Sequence, residues 1–165
     1  MILLLQYTLI FASVLILVAL GGCFAEHSGV INLGLEGIMI MGALGGALTM
    51  RYVPNTAPAI VMLLAVIVVS ALVGMVYSCL LAVASLNFKD DQTLVGTALN
   101  LLGTAGATVI VKAINTAANP DDVSSIVQYG GAKSALLVSI GSFEFNWFML
   151  VAFIALVFAY VTLYK

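Results

Sequence analysis

The chain has 165 residues, of which 64% are hydrophobic and 7% charged, with a formal net charge of −2. Soluble domains are about 45–50% apolar and about 25% charged, so a mean hydropathy of +1.24 leaves too little polar surface for a soluble enzyme, a nucleic-acid binder or a disordered chain. There is no basic footprint for a polyanion, and lipid remains as the solvent.

A hydrocarbon core about 30 Å thick takes about 20 apolar residues per helix. On that measure the chain divides into about five membrane segments. Residues 2–22 form the first, with no charge before Glu26. Residues 28–50 form the second, crowded with glycine and carrying Asn32 and Glu36. The third, residues 59–86, is the most uniformly apolar and follows the breaker Pro54-Asn55-Thr56-Ala57-Pro58. The fourth, residues 91–114, is more polar, with Gln92, Asn100 and several threonines and glycines. Residues 146–164 are strongly apolar again.

Residues 115–145 form one long polar connection with Pro120, Asp121, Asp122, Gly130, Gly131 and Lys133. Residues 135–140 within it are apolar and suit the interface or a return into the membrane. The predicted fold class is therefore all-α, a polytopic integral membrane protein. Its second segment is a candidate broken helix, because Gly29, Gly34 and Gly37 disfavour an unbroken one. A cytoplasmic C-terminus puts Lys89 and Lys165 inside and Arg51, Lys112 and Lys133 outside, so charge bias alone does not fix orientation.

Cys23 and Cys79 lie far apart and suggest neither a disulfide framework nor a metal knuckle. Leu20-Gly21-Gly22-Cys23 has the form of a lipoprotein cleavage box. No Lys or Arg precedes the apolar stretch, so Cys23 reads as a small packing residue at a helix end. His27 stands alone beside Glu26 and does not make a metal site. There is no phosphate-binding loop and no grouping of nucleophile, base and orienting residue. No catalytic residue, metal or cofactor is expected.

Glu36 is the most informative side chain. An ionisable group in a membrane segment costs about 2.5–3.5 kcal/mol on insertion scales and usually faces a partner or water. Asn32 lies one turn before it. Glu36 reads equally as a pathway group and as a structural anchor. Gly42 and Gly46 form a small-xxx-small pair for close helix packing. Gly96 and Gly103 are assigned to packing as well. Gln92, Gly96, Asn100 and Thr104 recur every four residues as a polar stripe. The stripe reads either as the wall of a hydrophilic pathway or as an interhelical hydrogen-bond seam. For any single residue the seam is the better reading. Asn32, Glu36, Gln92 and Asn100 are the substrate-pathway candidates. Trp147, with Phe145, Phe148 and Tyr129, fits an interfacial aromatic anchor.

The stretch Phe24-Ala25-Glu26-His27-Ser28-Gly29-Val30-Ile31-Asn32-Leu33-Gly34-Leu35-Glu36-Gly37 resembles the signature of permease subunits of bacterial ABC importers. The similarity is to the nucleoside and simple-sugar branch of the ribose and branched-chain amino-acid permease superfamily. Asp90-Asp91-Gln92-Thr93-Leu94-Val95-Gly96-Thr97-Ala98-Leu99-Asn100 resembles that branch too, in its usual place. His27 departs from the pattern, where a basic residue is usual.

The resemblance covers about the first half of such a permease. It implies an importer of two permease subunits, two ATP-binding cassette ATPase subunits and an extracellular substrate-binding protein, in the bacterial cytoplasmic membrane. It also implies that Lys165, Glu26 and Lys89 are inside and that the 115–145 connection is outside. Function on this reading is alternating-access transport of nucleosides or simple sugars. An ion-coupled secondary transporter and a structural membrane subunit are the rival expectations.

Overall fold

The computed structural model describes residues 2–54, 57–89, 91–128, 137–140 and 143–164. Among them are five α-helices: α1 (Ile2–His27), α2 (Leu35–Tyr52), α3 (Ala59–Ala82), α4 (Gln92–Ala118) and α5 (Trp147–Tyr164). A π turn (Val83–Asn87) continues α3. Two short strands, β1 (Leu137–Ile140) and β2 (Phe143–Asn146), pair antiparallel with Leu137 opposite Asn146 and Ile140 opposite Phe143.

The chain is thus a helical, multi-pass membrane protein with one small two-stranded ladder. Among the described residues three spans, Leu3–His27, Ala59–Asn87 and Gln92–Ala118, are long and apolar enough to cross a bilayer. α5 is shorter and equally apolar. α2 is about 27 Å long at 1.5 Å per residue, slightly less than the hydrocarbon core.

Three segment limits differ from expectation. The first helix runs on to His27, five residues past Gly22. The second helix starts at Leu35, leaving residues 28–34 outside regular structure. α4 runs on to Ala118, past the polar Asn115 that suggested its end. Of the apolar stretch at 135–140, residues 137–140 form β1, and residues 135–136 lie outside the described residues.

The chain folds as two compact units. The terminal unit comprises Met1–Val30 and Ser134–Lys165. In it α1 packs on α5, where Ala152 and Ala159 are buried at a spacing of two turns. α1 is apolar on every side, as suits a helix surrounded by lipid and other helices. It closes in a Schellman motif, with Val30 N–H donating to Ala25 O (3.3 Å) and Gly29 N–H to Glu26 O (3.0 Å). That motif needs a left-handed residue at its turn, and Gly29 supplies it at φ 81°.

The central unit, Ile31–Lys133, holds α2 between α3 and α4. α3 runs antiparallel to α2: Gly46 meets Val66 and Ser70, Gly42 meets Ser70, and Ile38 meets Gly74. α4 runs parallel to α2, with Gly37 beside Leu99 and Asn100, and Leu44 beside Ala107 and Val111. Lipid supplies no hydrophobic drive between helices, so close backbone packing carries much of the association. Glycines permit it. A Cβ on Gly37 would stand 2.6 Å from Leu99 O, and one on Gly103 would stand 2.9 Å from the α-carbon of Gly37. Val68, Leu72, Met75 and Val76 line the outer face of α3, turned from Met62, Val66 and Tyr77, which are buried.

Gly37→Ala should therefore overpack the α2–α4 contact and cost about 1–3 kcal/mol. Gly106, with no atom within 4 Å of an added Cβ, should accept alanine with a gain of up to about 1 kcal/mol. Thermal unfolding of the purified protein in detergent compares the two; equal effects would contradict the close approach at Gly37.

Candidate functional site

The site grows from the first turn of α2. A helix starts with four backbone N–H groups lacking intrahelical partners, and in a membrane each such group is expensive to leave unpaired. The N-cap position of α2 is Gly34, which has no side chain to serve them. The partner comes from α4 instead. Asn100 Oδ1 accepts from Gly37 N–H at 2.7 Å, and Asn100 Nδ2 donates to Leu33 O at 2.8 Å.

Leu33 O and Gly37 N–H are the pair that a continuous α-helix would join directly, four residues apart. The carboxamide is spliced into that gap and replaces one bond by two. The next bond, Ile38 N–H to Gly34 O at 3.1 Å, is made normally. Leu33 O can only accept and Gly37 N–H can only donate, so a planar group with one donor edge and one acceptor edge is required.

The residues just before the helix are held by the same face of α4. Gln92 Oε1 accepts from Ile31 N–H at 2.9 Å. Gly96 leaves room for Leu33 and Gly34, since a Cβ there would stand 2.9 Å from Gly34 N. Asn32 Oδ1 accepts from Gly34 N–H at 3.0 Å, a turn within the segment itself. Of the four pathway candidates, Asn32, Gln92 and Asn100 are therefore gathered on residues 31–37, each bonded to backbone. Glu36 stands apart. It is exposed in the first turn of α2, where a helix dipole favours negative charge.

Thr104, the fourth member of the stripe, donates to Asn100 O at 2.9 Å within its own helix. Gly42 and Gly46 face Ser70 of α3, while Gly96 and Gly103 face the first turn of α2 and the residues before it. Among the described residues no group of His, Cys, Asp and Glu could hold a metal ion. Glu26 and His27 lie with Cys23, Leu156 and Tyr160 along a cleft of about 320 Å³ in the terminal unit.

A second node sits at the other end of α2 and α4. Arg51 Nη1 donates to Asn115 Oδ1 at 2.6 Å, and Asn115 Nδ2 donates to Ser124 O (3.1 Å) and Ile126 O (2.9 Å). Asn115 is 2% exposed. By its polarity in the sequence it falls in the 115–145 connection. Its position four residues after Val111, on the stripe of Gly103, Ala107 and Val111, was the available signal.

Asp122 lies beside this node, and hydrogen bonds from the Ser124 side chain and backbone hold its carboxyl below the usual range, with Arg51 adding a smaller effect. Asp91 caps α4 by accepting from Thr93 N–H at 2.8 Å. The Thr93 and Leu94 backbone N–H groups likewise hold its carboxyl low.

Residues 4–165 match the model of the family described as branched-chain amino acid transport system, permease component. The chain belongs to this family. Within it, the chain is 40% identical over 116 residues to the guanosine ABC transporter permease protein NupQ of Bacillus subtilis, a match covering 70% of this chain and 36% of that protein. It is 36% identical over 97 residues to the nucleoside ABC transporter permease protein NupC of Lactococcus lactis subsp. cremoris, covering 59% of this chain and 30% of that protein. The matched stretch thus spans about a third of each relative's length. No solved structure matches the chain.

Asn100→Asp should test the splice. It keeps the acceptor for Gly37 N–H but sets a carboxylate oxygen against Leu33 O, at a cost of about 1–3 kcal/mol. Melting curves at neutral pH check this; a variant as stable as the parent would contradict it.

Asp91, just before the span, makes the stability of the α4 cap depend on pH. Its folded pKa is lowered, so its contribution is complete above the ordinary carboxylate pKa of about 4 and is lost as pH falls through the lowered value. The protection factor of the Thr93 amide should fall on acidification. Asp91→Asn, which keeps a capping oxygen, should flatten that response.

Proposed function

We propose that this chain forms part of the translocation pathway of an ATP-driven importer of nucleosides. The observation that carries the reading is the likeness to guanosine and nucleoside permeases within an established permease family. ATP hydrolysis belongs to separate ATPase subunits. A second permease subunit and an extracytoplasmic substrate-binding protein complete the assembly, in the bacterial cytoplasmic membrane.

The geometry supports this reading. Non-helical backbone at membrane depth is tolerated where it is buried in protein or lines a water-filled cavity, and broken helices of this kind recur at transporter pathways. Asn32, Gln92 and Asn100 shape the pathway by holding residues 31–37 in that form. Glu36 contributes an uncommitted carboxylate beside them. The cycle is alternating access, in which nucleotide and substrate shift two states only through their differential affinity for each. On this reading the end of the central unit with Lys89 and Gln92 faces the cytoplasm, and the end with Arg51 and Asn115 faces outward.

The test is uptake of labelled guanosine into vesicles holding the assembled importer. Uptake should require ATP. Glu36→Ala should reduce it severalfold with melting and assembly unchanged, because the side chain is exposed in the central unit. Uptake that survives ATP depletion but is abolished by a protonophore would overturn the reading in favour of an ion-coupled carrier. A stable complex without uptake would assign the chain a structural role.

A further inference from the structure

The central unit carries a groove that neither the glycine contacts nor the two polar nodes use. On the side of α2 turned from Gly42, Gly45 and Gly46, the residues Glu36, Ile40, Ala43 and Ala47 repeat at helical spacing. The last three of these form one wall of a groove of about 370 Å³, and Thr104, Ala107 and Thr108 of α4 form the other. Residues 125–127 close one end, pinned there by Asn115. Its volume falls within the ~300–1,000 Å³ of ordinary small-molecule sites. The width comes from small side chains, since Ala43, Ala47 and Ala107 stand where larger residues would let the helices fill the space.

The lining has a definite hydrogen-bonding character. Thr104 and Thr108 each donate to a carbonyl of their own helix, at 2.9 and 2.8 Å. Their donors are spent, and each hydroxyl oxygen keeps acceptor capacity. Glu36 lies beyond Ile40, one turn along the same stripe and outside the lining itself. The cation of the α2 face, Arg51, is engaged by Asn115 at the far end. Among the described residues no Lys or Arg lines the groove. The rest of the lining is apolar except for Ser125, whose hydroxyl can donate or accept. Such a surface suits an uncharged solute with O–H and N–H groups and offers a phosphate no cation. A nucleoside, with its ribose hydroxyls and base N–H groups, has that chemistry; a nucleotide does not.

We infer that the groove between α2 and α4 is a face along which the permeant nucleoside passes, and that its lining, small, mainly apolar and without cations, selects nucleosides against nucleotides. This rests on the importer reading above and adds the location and the selectivity.

The experiment uses the assembled importer with Cys23 and Cys79 replaced by serine. Ala47→Cys and Thr104→Cys are each labelled with a small water-soluble thiol reagent. Guanosine should slow labelling at both positions, and guanosine monophosphate should not. Val123→Cys, in the connection, should label at one rate throughout. Ala47→Leu, which fills the groove, should raise the KM for guanosine about tenfold, the scale on which pockets discriminate by volume.

Cysteines at 47 and 104 that stay inert, or label equally with and without guanosine while the parent still transports it, would overturn this inference and leave the importer reading intact. Slowing by the monophosphate as strongly as by guanosine would overturn the selectivity. A parent that takes up no guanosine would instead overturn the importer reading, and this inference with it.

Discussion

A carboxamide presents one donor and one acceptor in a fixed plane, and a peptide group does the same. That equivalence lets Asn100 stand in for a missing stretch of helix ladder between Leu33 and Gly37. Everything distinctive in the central unit depends on it. Residues 31–34 can leave the helix without exposing an unpaired carbonyl to lipid. Gly34 can serve as a cap position without a capping side chain. The glycines of both helices then have a purpose beyond packing, because the carboxamide reaches the ladder only if the two backbones nearly touch.

The two polar nodes fix α2 and α4 as a pair. One joins residues 63 apart in sequence and the other joins residues 64 apart. A nearly constant offset means that the two helices run in the same direction and in register along their shared length. Tyr77 ties α3 to the same body by donating its hydroxyl to Leu99 O at 2.7 Å. These hydrogen bonds fasten the three helices into one packed body.

Much of this was legible in the sequence, and the parts that were not share a cause. Uniform apolarity located α1, α3 and α5, because a helix in lipid needs little else. The glycines at 29, 34 and 37 marked the break in the second segment. The start of α2 at Leu35 was hidden because its cap comes from another helix. The spacing of Gln92, Gly96 and Asn100 showed a polar face, yet spacing cannot say whether such a face meets water or backbone. Here Gln92 and Asn100 meet the backbone of residues 31–37. Asn115 was misplaced for the same reason: polarity at a helix end resembles termination, whereas its carboxamide serves both Arg51 and the connection. The strand β1 was read only as an apolar stretch, since four residues are too few for a period to declare itself.

The splice also has an order in time. Synthesis runs from the N-terminus, so the amide group that separates Leu33 from Gly37 is made 63 residues after the N–H it receives. The start of α2 therefore rests on a contact that only the later helix can complete.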